Sequence, residues 1–141
     1  NSFSFKKVFY LPKIKDYYPQ EKVLHESSMY SKFSNSEILI IDKADEAVKD
    51  ADVVYADSWM SYRIPKSQLK TRLKIFKPYR VTSNLLMTAK QDYVFMHCLP
   101  ASREQEVSAD VIDGSHSIIW QQAENRLHIQ KAIMLWCLGK I

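Results

Sequence analysis

A chain of 141 residues, 46% hydrophobic and 26% charged, has the size and composition of one globular domain with its own core, which excludes a low-complexity or disordered polypeptide. The net charge of +4 gathers in residues 6–15 and 63–80 without forming a dense basic block. It is a weak case for nucleic acid and an equally good one for an anionic small molecule. No apolar run has the length of a membrane span, no signal-peptide pattern opens the sequence, and two cysteines are too few for a disulfide framework, so a reducing, cytoplasmic setting is expected.

The apolar run at residues 8–11 reads as a first strand, followed by a polar, turn-like stretch to Pro19. Residues 20–33 then carry Val23, Leu24, Met29, Tyr30 and Phe33 at roughly helical intervals. After Ser34-Asn35-Ser36 comes a second buried strand, Glu37-Ile38-Leu39-Ile40-Ile41, and a short helix at 44–49 with Asp42 as its expected N-cap. Residues 52–56 are a third strand. Pro65, at a first helical turn, introduces a helix at 66–76 that puts Leu69, Leu73 and Phe76 on one face. Thr82 or Ser83 is placed to cap a short helix through Ala89.

A strand at 93–97 must stop at His97-Cys98-Leu99-Pro100, because proline cannot donate to a ladder and restricts the residue before it. A short helix at 108–112 ends at Gly114. Residues 117–120 read as a last strand. The chain finishes in a helix at about 121–138, whose final turns are apolar nearly all round and are expected to be buried. Strand and helix alternate throughout, which predicts the α/β class: three layers, with a mostly parallel sheet between helices. Gly114 and Gly139 are the only glycines, so there is no glycine-rich phosphate loop.

Three segments carry groups suited to chemistry. Asp57-Ser58-Trp59-Met60-Ser61-Tyr62 follows the third strand, where open α/β sheets bind ligands. Asp57 can pair with an ammonium and Trp59 can pack beside it, or Asp57 caps a turn while Trp59 fills core. In His97-Cys98 a thiol adjoins an imidazole, but neighbouring strand residues point to opposite faces, which disfavours a nucleophile pair. No second Cys or His stands at a ligand-like spacing, so neither a metal nor any other cofactor is expected. Glu124-Asn125-Arg126-Leu127-His128 puts Arg126 near the start of the last helix, where the dipole favours anions. The plainer reading there is a Glu124–His128 surface pair with Arg126 in water.

Taken together, these segments resemble the second domain of the carbamoyltransferases, and among them the ornithine branch. The likeness is carried by Asp45-Glu46-Ala47-Val48-Lys49-Asp50-Ala51-Asp52-Val53-Val54-Tyr55, Asp57-Ser58-Trp59-Met60-Ser61, His97-Cys98-Leu99-Pro100-Ala101, Glu106-Val107, Val111-Ile112-Asp113-Gly114 and Gln122-Ala123-Glu124-Asn125-Arg126-Leu127-His128. The resemblance implies a Rossmann-like acceptor domain over residues 1–141, lacking its first strand and the carbamoyl-phosphate domain. It implies transfer of a carbamoyl group from carbamoyl phosphate to ornithine, giving citrulline and phosphate, in a homotrimer. His97 and Arg126 would bond the carbamoyl oxygen, and the Leu99 carbonyl, next to a cis Leu99–Pro100 bond, would orient the carbamoyl nitrogen. Cys98 would meet the attacking amine, while Asp57 and Ser61 hold the amino-acid end. Tyr62-Arg63 stands where the branch usually has Met-Gly, which puts Tyr62 at the acceptor. That departure admits another amine, such as putrescine or a modified ornithine. A truncated, non-catalytic amino-acid binder is the alternative outside enzymes.

Overall fold

The computed structural model describes residues 5–61 and 63–141. Strand β1 (Lys6–Tyr10) runs parallel to β2 (Glu37–Ile41), with Lys6 opposite Glu37 and their side chains paired at 3.4 Å. Strand β3 (Val53–Ala56) runs parallel to β4 (Val94–His97), with Ala56 opposite His97. Helices α1 (Glu21–Ser34), α2 (Ala44–Val48), α3 (Leu69–Phe76), α4 (Ser83–Leu86), α5 (Ala109–Ile112) and α6 (Ile119–Cys137) complete the order. The α/β class is as the alternation predicts. Where the sequence suggests one sheet, the described residues form two parallel pairs.

Strand alternation decides where the core lies. Val54, Ala56, Phe95 and His97 are buried, while Val53 and Tyr55 stay exposed, as a period of two requires. Val48 of α2, Val81, Leu86 of α4, Val107, Val111 and Ile112 of α5, and Ile119 of α6 close over that face. Helix α1 ends at Asn35 in the left-handed conformation, whose N–H bonds the Ser31 carbonyl. Thr82 caps α4 by accepting from the Leu85 N–H at 3.3 Å.

Three expectations are corrected. Asp42 does not cap α2: Lys43 is the N-cap residue, and Asp42 pairs with Lys13 at 3.2 Å instead. Residues 117–120 are not a strand. His116 and Ile118 make one bridge to Phe95, and the helix begins at Ile119, whose buried side chain anchors its first turn. Nor is the end of α6 buried, since Leu127, Ile133, Met134 and Trp136 are 52, 52, 58 and 71% exposed. Nineteen helical residues reach about 28 Å and a four-residue strand only about 13 Å, so the far turns run past the sheet.

Gly114 follows α5 where a Cβ would stand 2.5 Å from the Asp110 carbonyl oxygen. Gly114→Ala forces the backbone apart there. Urea unfolding followed by circular dichroism is expected to show a loss of about 1–3 kcal/mol, the usual cost of overpacking.

Candidate functional site

The ends of β3 and β4 make the site. With Ala56 opposite His97, the residues that follow, Asp57 and Cys98, leave the sheet side by side. Cys98 Sγ donates to Asp57 Oδ1 at 2.9 Å, and the Ser58 N–H donates to the same oxygen at 2.7 Å. Ser58 Oγ donates to the Pro100 carbonyl at 2.6 Å, tying the two loops together. Burial first, and then the Asp57 carboxylate, push the Cys98 thiol up from its ordinary value. The thiol therefore stays protonated near neutrality and is a hydrogen-bond donor, not a nucleophile. Its partner is Asp57 and not His97, as strand geometry requires.

The Leu99–Pro100 bond is cis, and Leu99 has φ of 54°, a left-handed conformation uncommon for a branched side chain. His97 holds that turn: its Nδ1 accepts the Leu99 N–H at 2.9 Å. An Nδ1 that accepts leaves the neutral ring's proton on Nε2, which faces the Glu106 carboxylate at 3.5 Å without bonding it. Both residues are buried, His97 at 1% and Glu106 at 2% exposure. Burial acts to raise the Glu106 carboxyl, but the His97 ring and the N–H groups of Ser102 and Glu106 itself outweigh it and bring the net value below the usual range. Ser102 N–H lies 2.5 Å from Glu106 Oε1.

His97 therefore differs from expectation. It belongs to the cluster, but neither ring nitrogen faces outward, and it supports Leu99 from within. For Trp59 the second of the two readings holds. It is 8% exposed and stacked on Phe76 of α3 at 5.8 Å, with its carbonyl accepting from Arg72 Nε at 2.7 Å. It fills core and leaves Asp57 alone at the surface.

Arg126 reaches the site, by a route other than the one expected. Because α6 starts at Ile119, Arg126 is two turns inside the helix, beyond the reach of the N-terminal dipole. Its Nη1 instead donates to the Cys98 carbonyl at 3.3 Å. Glu124 and His128 form the exposed i,i+4 pair at 3.3 Å. Ser61 is exposed and its carbonyl accepts the Ile64 N–H. Tyr62 lies outside the described residues. Among the described residues, no three acidic, His or Cys groups gather as a metal site.

Sequence reasoning missed Gln122 and Glu106. Gln122 accepts the His97 N–H at 3.0 Å and donates to the Tyr55 hydroxyl at 2.9 Å, fastening α6 to both strands. Glu106 had no signal beyond its place in a matching segment, because nothing in its neighbours announces that it is buried. The surface concavities of about 550 and 480 Å³ lie elsewhere, around Lys6 and Glu37 and beside Arg80 and Thr82. The site is an open edge marked by convergent groups.

A family model described as aspartate/ornithine carbamoyltransferase, Asp/Orn binding domain, matches residues 2–137. The chain is 46% identical over 125 residues to the ornithine carbamoyltransferase of Methanothermobacter thermautotrophicus, covering 89% of this chain and 41% of that protein. For the Bacillus subtilis ornithine carbamoyltransferase the figures are 45% over 126 residues, 89% and 39%. The chain thus spans about two fifths of the length of these curated relatives. Among solved structures, the Pyrococcus furiosus ornithine carbamoyltransferase superposes with a TM-score of 0.85 at 37% identity, over 98% of this chain and 49% of that one. An N-acetyl-L-ornithine transcarbamylase superposes with a TM-score of 0.77 at 28% identity, over 92% and 40%.

The thiol gives a direct test. At neutral pH, iodoacetamide is expected to alkylate exposed Cys137 before Cys98. Asp57→Asn removes the carboxylate's hydrogen bond and charge, two of the three causes that raise the thiol, and leaves burial, so its pH–rate curve moves to lower pH. Peptide mass spectrometry of the two sites checks both statements.

Proposed function

Because the chain belongs to the aspartate/ornithine carbamoyltransferase family, as its Asp/Orn-binding domain, we propose that it is the acceptor-binding half of an enzyme moving the carbamoyl group of carbamoyl phosphate to the side-chain amine of ornithine. The products are citrulline and phosphate. One observation carries the reading: Asp57, the Cys98 thiol and Arg126 meet at the adjoining ends of β3 and β4.

The exposed Asp57 carboxylate suits the acceptor's α-ammonium group, with exposed Ser61 further along the same loop. The amine that attacks must be neutral, and the un-ionised Cys98 thiol next to it adds no charge of its own. As the new C–N bond forms, negative charge builds on the carbamoyl oxygen, and the Arg126 guanidinium is the cation positioned to meet it. The Leu99 carbonyl orients the carbamoyl nitrogen, with His97 fixing the turn from within. Phosphate leaves with the electron pair of the broken C–O bond and takes up the proton that the attacking amine loses.

The domain reading rests on topology. Strands β1 and β2 share helix α2 with the β3–β4 pair, whose Val54 packs in one core with Val48. Right-handed crossovers and the doubly wound strand order leave room for one more parallel strand between β1 and β3. Among the described residues nothing pairs with those two edges. On this reading residues 1–141 are the acceptor domain without that strand. Carbamoyl phosphate is bound by a further domain, and the whole enzyme is a cytoplasmic homotrimer of arginine metabolism.

Tyr62-Arg63, and the likeness to an N-acetyl-L-ornithine transcarbamylase, favour one second reading: a modified ornithine as acceptor. Titration calorimetry of this chain with L-ornithine, N-acetyl-L-ornithine and putrescine separates the two, and strongest binding of ornithine is expected. Asp57→Asn is expected to weaken that binding by up to about fivefold, the loss of one water-screened charged contact. In the enzyme containing this domain, Arg126→Ala is expected to cut turnover about 10²–10³-fold, as removal of one oxyanion donor does. Steady-state turnover near wild type would take Arg126 out of the site.

A further inference from the structure

The loop that carries Glu106 is held in an unusual way. Glu104 has φ of 64°, a conformation that glycine adopts freely and a side chain with a Cβ does not. Every polar group of Glu104 is engaged. Its N–H donates to the Val107 carbonyl at 2.8 Å, and Oε1 accepts the Ala109 N–H at 2.8 Å, at the first residue of α5. Its carbonyl accepts from Arg80 Nη2, and Oε2 lies 3.4 Å from Arg80 Nη1. Arg80 Nε also donates to the Gln105 carbonyl at 2.9 Å. One planar guanidinium therefore grips two successive carbonyls and a carboxylate, a grip that a lysine's single ammonium cannot reproduce.

The grip acts where position matters. The next residue after Arg80 is Val81, whose N–H donates to the Glu106 carbonyl at 2.9 Å and whose carbonyl accepts the Ser108 N–H at 3.0 Å. Val81 and Val107 are both buried, so the backbone from Glu106 onward is fixed in the core. The bend at residues 102–105 then aims the Glu106 side chain; Arg103 ties one side of it to Asp113 at 2.6 Å, and Arg80 holds the side next to Glu106. We infer that Arg80 and Glu104 form a clamp that positions the buried Glu106 carboxylate against His97, and through His97 the Leu99 turn at the reactive surface. Both are positioning residues, since neither reaches the surface where Asp57 and Arg126 meet. The inference rests on the proposed function only in taking that surface as the acceptor site.

Solution NMR of the 15N-labelled chain tests it without substrate, so failure of ornithine to bind would count against the function and not against the clamp. In Arg80→Ala, the Ser102 and Gln105 amides are expected to exchange about tenfold faster or more, while Val54 in β3 keeps its protection. The His97 ring 15N resonances are expected to move with them. Arg80→Lys, which keeps the charge but not the fork, decides the matter if the alanine variant fails to fold: partial loosening at Ser102 and a smaller ring shift are expected. A folded variant with wild-type exchange at Ser102 and Gln105 overturns the clamp. Faster loop exchange with unmoved His97 ring signals also overturns it, because the contact then serves only the loop.

Discussion

The register of β3 against β4 is the constraint on which the site depends. Ala56 lies opposite His97, so both strands end at the same level and their next residues emerge as neighbours. A slip of one residue would turn Asp57 to the other face and separate it from Cys98. Phe95, Val54 and Ala56 bury one face and fix the register, so the polar contacts at the edge follow from packing below it. The 2.9 Å contact between thiol and carboxylate is a consequence of the core.

Above that edge the groups divide by exposure. His97 and Glu106 are sealed in, linked to backbone on three sides, and respond to each other in a low-dielectric setting where an unpaired charge is costly. Asp57 and Arg126 are exposed, Asp57 held by the Cys98 thiol and the Ser58 N–H and Arg126 by the Cys98 carbonyl. The buried pair gives the Leu99 turn its shape. The exposed pair supplies opposite charges that can meet a ligand with both an ammonium and an electron-rich oxygen.

Much of this was legible in the sequence, for physical reasons. Proline at 100 and the apolar run before it mark the end of β4, and alternating patterns give the class. What misled was apolar residues without a fixed period. Ser117-Ile118-Ile119-Trp120 is β-branched enough to read as a strand, yet only one bridge forms before α6 takes over. With α6 starting at Ile119, Arg126 stands two turns into the helix and owes its place to the Cys98 carbonyl and not to the helix dipole. Trp59 makes the same point, because proximity in sequence to Asp57 says nothing about which side of the loop an indole takes. Tertiary contacts with Phe76 and Arg72 decide that.

The strength of the exposed pair depends on what surrounds it. At an open edge, a guanidinium and a carboxylate are screened by water and each contact contributes about 1 kcal/mol or less. When a ligand and a neighbouring domain displace that water, the same charges act at lower effective dielectric, and their influence on a developing oxyanion rises several-fold. On the proposed reading, acceptor recognition by Asp57 can begin at the open edge. Transition-state stabilisation by Arg126 becomes large only once the edge is covered. On that reading, a site built from one rigid buried half and one solvated half would bind its acceptor loosely alone and turn over only when closed, which fits a domain that spans two fifths of its relatives' length.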